Sequence, residues 1–179
     1  MFQSENIRLR KLSVKDAELV NAWENDPDIA RTASIKIELY ALEETERHIK
    51  NKLESHTSKA FIIEEKKTGK PIGTINLAFI STANRNAMLG ISIGEKDSQG
   101  KGYGREAILL LLDYAFMELN LHRVYLGVFS FNERAKKLYE RIGFQYEGTF
   151  REALYRNGGW HDNINMSMLK QEYINKYGK

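Results

Sequence analysis

The feature that most constrains the fold is a glycine-rich loop that joins a short apolar strand to a long amphipathic helix near the middle of the chain. Met88–Ile93 has the apolar, β-branched composition of a strand, and Gly94–Tyr103 is rich in glycine and charge. Arg105–Leu119 repeats apolar residues at helical spacing and adds others beside them, so we expect a helix buried on more than one side. A strand that leads into such a helix predicts a layered protein in which helices cover a sheet.

The rest of the chain has the short apolar patterns of further strands and helices. Strands are predicted at Ile7–Leu12, Phe61–Glu65, Pro71–Phe79, Val124–Phe129, Phe144–Phe150 and Asn163–Leu169. Helices are predicted at Val14–Glu24, where Asn25-Asp26-Pro27 acts as a stop, at Leu42–Leu53, and over the segment that ends at Gly143. No linker or repeat divides the sequence, so residues 1–179 are predicted to form a single domain of the α/β (α+β) class, with a mixed sheet and helices on both faces.

Composition excludes several classes of function. The chain has no cysteine, which rules out disulfides, thiolate metal sites and cysteine nucleophiles. Its 27 basic residues are interspersed among 24 acidic ones, and the net charge is +3. The basic residues therefore form no stripe of the kind that binds nucleic acid. The N-terminus lacks the apolar core of a secretory signal, and the longest apolar run, Ala107–Leu112, is too short to span a bilayer. We therefore expect a cytoplasmic protein that binds neither nucleic acid nor a membrane.

The loop Gln99-Gly100-Lys101-Gly102-Tyr103-Gly104 has the chemistry of an anion-binding site. Glycines at alternate positions let the backbone turn tightly and expose consecutive N–H groups, and the following helix adds unpaired donors and the positive end of its dipole. Such a cradle suits a diphosphate. The spacing differs from a P-loop, in which Ser or Thr follows the lysine, and from the G-x-G-x-x-G dinucleotide fingerprint; a merely flexible turn is the remaining alternative.

A second group of candidate residues lies on the short helix after Val124–Phe129. Asn132 opens this helix, and Tyr139 lies two turns later on its apolar stripe. Ser130 and Glu133 have the spacing of a capping box. A capping role for Ser130 and Asn132, and a core role for Tyr139, are therefore the structural alternatives to a functional role.

These two segments together resemble the GNAT superfamily of N-acetyltransferases. Gln99–Gly104 is similar to the family's Q/R-x-x-G-x-G/A coenzyme A motif, and the stretch from Asn132 to Phe144 is similar to its downstream N…A…Y…GF motif. Trp23–Pro27, and Glu147-Gly148 with the residues up to Asp162, look like the branch of ribosomal-protein N-terminal acetyltransferases and spermidine acetyltransferases. The resemblance implies a mostly antiparallel central sheet of about seven strands with helices on both faces. It also implies direct transfer of an acetyl group from acetyl-CoA to a primary amine, which is a protein N-terminus, a polyamine, an aminosugar or a similar compound.

The resemblance also assigns roles to individual residues. The donor site it implies consists of Ile91, Ser92, Ile93, Gln99, Gly100, Lys101, Gly102, Tyr103, Gly104, Arg105, Asn132, Ala135 and Tyr139. The strand residues would polarise the acetyl oxygen through backbone groups, and the loop residues would bind the diphosphate. Asn132 and Tyr139 are the expected catalytic residues, with Tyr139 as the acid that protonates the leaving thiolate. A free tyrosine has a pKa of ~10 and a thiol has one of ~8.5, so the tyrosine is neutral at pH 7 and can act as the proton donor. No metal is expected.

The acceptor side is less well defined by the sequence. The resemblance places it between the first two helices and the C-terminal hairpin, lined by Trp23, Glu24 and Asp26 on one side and by Tyr155, Trp160 and Asp162 on the other. The acidic residues would attract a cationic amine, with a solvated helix end as the alternative for Glu24 and Asp26.

The general base and the assembly are left open. Met88 stands where relatives often carry an acid, and the other candidates are Glu95, Asp97, Glu147, His161, Asp162 or a water chain. A non-catalytic acyl-CoA-binding module is therefore the alternative function. The partners expected are acetyl-CoA and an amine acceptor, with a homodimer as an open option.

Overall fold

The computed structural model describes residues 1–178 and arranges them around one seven-stranded sheet. The strands are β1 (Ile7–Lys11), β2 (Lys59–Glu65), β3 (Pro71–Ser81), β4 (Asn86–Ile93), β5 (Arg123–Phe129), β6 (Gln145–Arg156) and β7 (Gly159–Leu169). They lie in the order β1-β2-β3-β4-β5-β7-β6. Neighbouring strands are antiparallel except for β4 and β5, which are parallel. The predicted fold class, a mixed and mostly antiparallel sheet of about seven strands, is thus confirmed.

Within residues 1–178, six α-helices accompany the sheet. They are α1 (Ala17–Glu24), α2 (Pro27–Ala33), α3 (Leu42–Glu54), α4 (Tyr103–Asp113), α5 (Glu133–Ile142) and α6 (Lys170–Tyr177). The sequence pattern does not reveal α2, because Asp26-Pro27 is interpreted as a stop, or α6, whose formation depends on packing of Tyr173 against Phe116. Asp26-Pro27 ends α1 as predicted but also starts α2, where the Asp26 side chain accepts hydrogen bonds from the N–H groups of Asp28 and Ile29.

The two faces of the sheet have different cores. Adjacent residues of a strand point to opposite faces, and on β2 Ile63 belongs to the larger apolar cluster while Ile62 belongs to the smaller one. The larger cluster includes Phe116, which follows α4, and Tyr173 on α6, and it covers one face. The smaller cluster packs α1 and α3 on the other face. Helices therefore lie on both faces, as predicted.

Strand β4 connects the two halves of the sheet and contacts helices on both sides. It packs against α4 from one face and against α2 from the other. No helix within the described residues 1–178 is long and apolar enough to cross a bilayer.

Candidate active site

A cleft opens where β4 and β5 separate. The two strands pair only from Asn86 and Arg123 to Met88 and Tyr125, although β4 continues to Ile93 and β5 to Phe129. The unpaired halves, together with α2, α4 and α5, line a cavity of about 440 Å³. Parallel strands that stop pairing leave backbone N–H and C=O groups available to a ligand that lies between them as an added strand.

The glycine-rich loop forms one end of this cavity. Gly100 and Gly102 have φ values of +82° and +88°, a left-handed conformation that a side chain would strain. The first hydrogen bond within α4 runs from the Glu106 N–H to the Gly102 carbonyl, so the N–H groups ahead of Glu106 have no acceptor inside the helix. The Gln99 side chain holds the loop against β4 by donating to the Ile93 carbonyl over 3.0 Å. The local geometry is therefore an anion cradle at a helix N-terminus.

Charged side chains surround the cradle unevenly. Lys101, predicted to bind the donor, is exposed and does not line the cavity. Two arginines that the sequence analysis missed, Arg134 and Arg141 on α5, do line it, and Arg134 donates to Gln99 Oε1 over 3.4 Å. Their spacing of two helical turns, which puts them on one side of α5, is the signal that could have revealed them. Arg105 also lines the cavity, at the start of α4.

Tyr139 lies deep in the wall of the cavity. It is 8% exposed, its ring meets Phe144 edge-on at 5.8 Å, and its hydroxyl bonds to no group of residues 1–178. Burial raises the pKa of Tyr139 to about 12, because the apolar surroundings disfavour the phenolate. The side chain therefore stays protonated at neutral pH and has a proton to donate into the cavity.

Asn132 caps α5 and also faces the cavity. Its Oδ1 accepts from the Ala135 N–H over 3.2 Å, which leaves the amide N–H₂ group free to donate to a ligand. The cap predicted at Ser130 is wrong, because the helix begins one residue after Asn132. Every residue of the predicted donor site except Lys101 lines this one cavity, although these residues come from three separate segments of the chain.

A second cavity of about 210 Å³ adjoins the first across β4. The two cavities share Gly90, Ile91 and Ser92 in their walls, and α1 and α3 close the outer side of the second. Trp23 and Glu24, both predicted to bind the acceptor, line it. Glu24 is held by the Thr45 hydroxyl, which donates to its Oε2 over 2.9 Å.

The other predicted acceptor residues line neither cavity. Asp26 caps α2 and pairs with Lys96 at 2.9 Å, and Asp162 accepts from the Glu152 N–H over 2.8 Å. Tyr155 and Trp160 pack together at the tip of the β6–β7 hairpin, where they are 59% and 60% exposed. The structure thus brings Trp23 and Glu24 to the pocket and leaves these four residues outside its walls.

The candidate bases have partners that hold them as ions or lie away from the cleft. The ammonium of Lys70 and the indole N–H of Trp23 lower the pKa of Glu95. Ser167 and Arg123 lower the pKa of Glu147. This carboxylate lies next to Arg123, at the end of β5 where β4 and β5 are still paired. Nε2 of His161 lies 3.2 Å from the Arg156 carbonyl. A carboxylate with a lowered pKa is a weaker base, and neither cavity is lined by Glu95, Asp97, Glu147, His161 or Asp162.

Metal chemistry has no evident site in the part of the chain that the structure describes. No group of three or more His, Asp or Glu side chains in residues 1–178 is arranged to hold a metal ion.

Comparison with known proteins places this geometry in a family. The family model described as an acetyltransferase (GNAT) domain matches residues 6–145. A spermidine N(1)-acetyltransferase of Vibrio cholerae is 34% identical over 136 residues, which are 76% of this chain and 78% of that protein. The putative ribosomal N-acetyltransferase YdaF of Bacillus subtilis is 41% identical over 105 residues, which are 59% of this chain and 57% of that protein.

Solved structures agree with the sequence relatives. A spermidine N-acetyltransferase from Vibrio cholerae in complex with CoA and spermine superposes with a TM-score of 0.87 and 31% identity, over 94% of this chain and 98% of that one. A dodecameric spermidine N-acetyltransferase from Vibrio cholerae superposes with a TM-score of 0.82 and 31% identity, over 96% and 98% of the two chains.

Proposed function

The chain belongs to the GNAT N-acetyltransferases and transfers an acetyl group from acetyl-CoA to an amine, and we propose that the acceptor is a slim cationic primary amine of the polyamine type. We propose further that acetyl-CoA occupies the cleft between β4 and β5. The observation that carries this placement is the early end of β4–β5 pairing next to the glycine cradle. The proposal covers residues 1–179 as one acetyltransferase domain.

Donor binding in this proposal relies on the backbone. The pantetheine arm lies between the unpaired halves of β4 and β5, where its amides replace the missing ladder hydrogen bonds. The diphosphate lies on the N–H groups from Gly100 to Arg105, at the positive end of α4. Backbone N–H groups of β4 near Ile91 polarise the thioester carbonyl, which stabilises negative charge on its oxygen as the amine attacks.

Acetyl transfer then needs one proton donor and one proton acceptor. The amine nitrogen attacks the thioester carbon, the carbon–sulfur bond breaks, and Tyr139 gives its proton to the departing thiolate. The nitrogen loses a proton to water, and the tyrosinate regains one from solvent through the open cleft. The hydroxyl of Tyr139 suits this role because it is neutral, faces the cavity and has no protein partner within residues 1–178.

The acceptor enters from the second cavity in this proposal. Among residues 1–178, Glu24 is the one carboxylate in the walls of that cavity, and it lies on α1 across from β4. A carboxylate there attracts a cationic amine, and the small volume of about 210 Å³ favours a slim chain over a folded protein surface. The names of the relatives support a polyamine, and a ribosomal-protein N-terminus is the competing acceptor.

An acceptor panel tests this proposal. The chain is incubated with acetyl-CoA and, separately, with spermidine, a peptide with a free N-terminus and glucosamine, and both thiol release and product mass are measured. We expect kcat/KM to be highest for spermidine. Turnover confined to the peptide or the aminosugar would contradict the polyamine assignment.

Assembly and location belong to the same proposal. The dodecameric neighbour supports an oligomer built from this chain, for which a homodimer is the smallest unit. A cytoplasmic location is proposed because the reaction consumes acetyl-CoA. Sedimentation of the purified chain and fractionation of cells that produce it test these two statements.

A further inference from the structure

Helix α2 forms the second wall of the opening between the two cavities. On one side of this opening lie the residues of β4 that line both cavities. On the other side lie Ile29 and Ala33 of α2, which also line both. An acceptor nitrogen that enters the second cavity therefore passes between β4 and α2 before it reaches the donor cavity.

Helix α2 depends on contacts outside itself for its position. It has seven residues, and a helix of that length is not stable on its own. The chain that follows, from residue 34 to residue 41, forms no helix or strand. Three large apolar side chains of that segment are exposed, namely Ile35, Ile37 and Leu39. The segment therefore provides little packing that could hold the end of α2 in place.

Arg156 fastens the C-terminal end of α2 to the edge strand of the sheet. It is the last residue of β6 and is 6% exposed. Its Nη1 donates to the Arg31 carbonyl over 2.8 Å, and its Nη2 donates to the carbonyls of Ser34 and Ile35 over 2.9 and 3.2 Å. The last carbonyls of a helix need donors from outside the helix, and a planar guanidinium can serve several acceptors at once.

The guanidinium of Arg156 is buried without a counter-ion. Its partners are carbonyl groups, and no carboxylate of residues 1–178 forms an ion pair with it. An apolar side chain could fill the same space without the desolvation of a charge. The arginine is therefore explained better by the segment that its donors hold than by stability alone. Arg156 lines neither cavity, so its effect on a bound acceptor is indirect.

We propose that Arg156 is a positioning residue for acetyl transfer. By holding the end of α2, it keeps Ile29 and Ala33 at the opening and sets the path by which the acceptor nitrogen reaches the thioester. This assignment rests on the proposed function. A fixed α2 also limits the access of water to the thioester through the same opening. Loss of the hydrogen bonds from Arg156 lets α2 move away, which weakens acceptor binding and admits water.

Substitutions of Arg156 separate this role from general stabilisation. Arg156→Met keeps an unbranched side chain for packing but removes every donor, whereas Arg156→Lys keeps one donor group. Arg151→Met is the matched control, because Arg151 is exposed on the same strand and lines neither cavity. The measurements are kcat, the KM values for spermidine and acetyl-CoA, thiol release without an amine, the melting temperature, and hydrogen exchange at residues 30–35.

We expect Arg156→Met to raise the KM for spermidine roughly tenfold, because all three hydrogen bonds to the end of α2 are lost. Thiol release without an amine and hydrogen exchange at residues 30–35 should both become faster. The KM for acetyl-CoA should stay near the wild-type value, because donor binding relies on the loop backbone. Arg156→Lys should restore part of the acceptor affinity, and Arg151→Met should behave as the wild type.

A lower melting temperature with an unchanged KM for spermidine and unchanged exchange at residues 30–35 would overturn the assignment. If Arg156→Met does not fold, Arg156→Lys is read by the same three quantities. Failure of the positioning role alone would leave wild-type turnover of spermidine intact. Absence of wild-type turnover on every amine would instead refute the proposed function, and this assignment with it.

Discussion

The proposed donor cleft and the proposed acceptor pocket meet at β4 but are built in different ways. The donor side consists of backbone: left-handed glycines, the start of α4 and strand edges without partners. The proposed acceptor side includes side chains from α1, α3 and β3, which are far apart in sequence. A backbone site needs a fixed local spacing, whereas a side-chain site can change one residue at a time. A sequence motif therefore predicts the proposed donor site, whereas the proposed acceptor site can be predicted only when the fold is known.

Removal of the Tyr139 hydroxyl should have the largest effect and should leave both binding sites intact. Tyr139→Phe keeps the ring that packs on Phe144 but removes the only proton it can donate, so we expect kcat to fall by roughly 10²- to 10⁴-fold. The affinity for acetyl-CoA should not change. Tyr146→Phe is the control, because Tyr146 is exposed on β6. Equal rates for the two variants would show that Tyr139 is only a core residue.

Neutralising Glu24 tests whether side-chain charge defines the acceptor side. Glu24→Gln should raise the KM for spermidine roughly tenfold at low salt, with less effect as salt screens the pair. The affinity for acetyl-CoA should stay constant, because Glu24 does not line the donor cavity. Glu18→Gln, an exposed position on the same helix, is the matched control. An equal rise of the KM for spermidine in both variants would mean that only the overall electrostatic field of the protein affects acceptor binding.

Arg134 tests how far the donor side depends on backbone alone. Its guanidinium reaches Gln99 but is exposed, so Arg134→Gln should weaken acetyl-CoA binding only about fivefold. The loss should disappear with S-acetyl-pantetheine, which has no diphosphate. Arg151→Gln on β6 serves as the control. A loss of acetyl-CoA affinity of several hundredfold would show that side-chain charge supplies most of the binding energy. That result would contradict the description of the donor site as one built from backbone.

The pH dependence of stability provides the smallest effect. The folded state holds the Tyr139 proton more tightly than the unfolded state, since burial raises the pKa from its ordinary 10.0 to about 12. This contribution is complete below pH 10 and is lost as pH rises towards 12. We therefore expect the free energy of unfolding to fall less between pH 10 and 12 in Tyr139→Phe than in the wild type. Identical slopes of the free energy of unfolding against pH in the two proteins would show that water solvates the Tyr139 hydroxyl in the folded state.

The same contrast explains which parts of the molecule the sequence predicts. The glycine spacing and the apolar stripe of α4 identify the donor loop, because local rules decide that geometry. Helices α2 and α6 escape notice, since Asp26-Pro27 signals a stop and a start alike and α6 depends on packing of Tyr173 against Phe116. The position of Asn76 in the wall of the second cavity carries no local signal, because it depends on strand register, which places the Asn76 amide over Gly90 of the adjacent strand.

Hydrogen–deuterium exchange of the backbone amides with and without CoA tests the central claim most directly. Because the N–H groups from Gly100 to Arg105 are proposed to grip the diphosphate, their exchange should slow markedly when CoA is added, along with that of β4 beyond Met88. S-acetyl-pantetheine should protect only the strand. CoA binding that leaves residues 100–105 exchanging at their original rate would contradict the account.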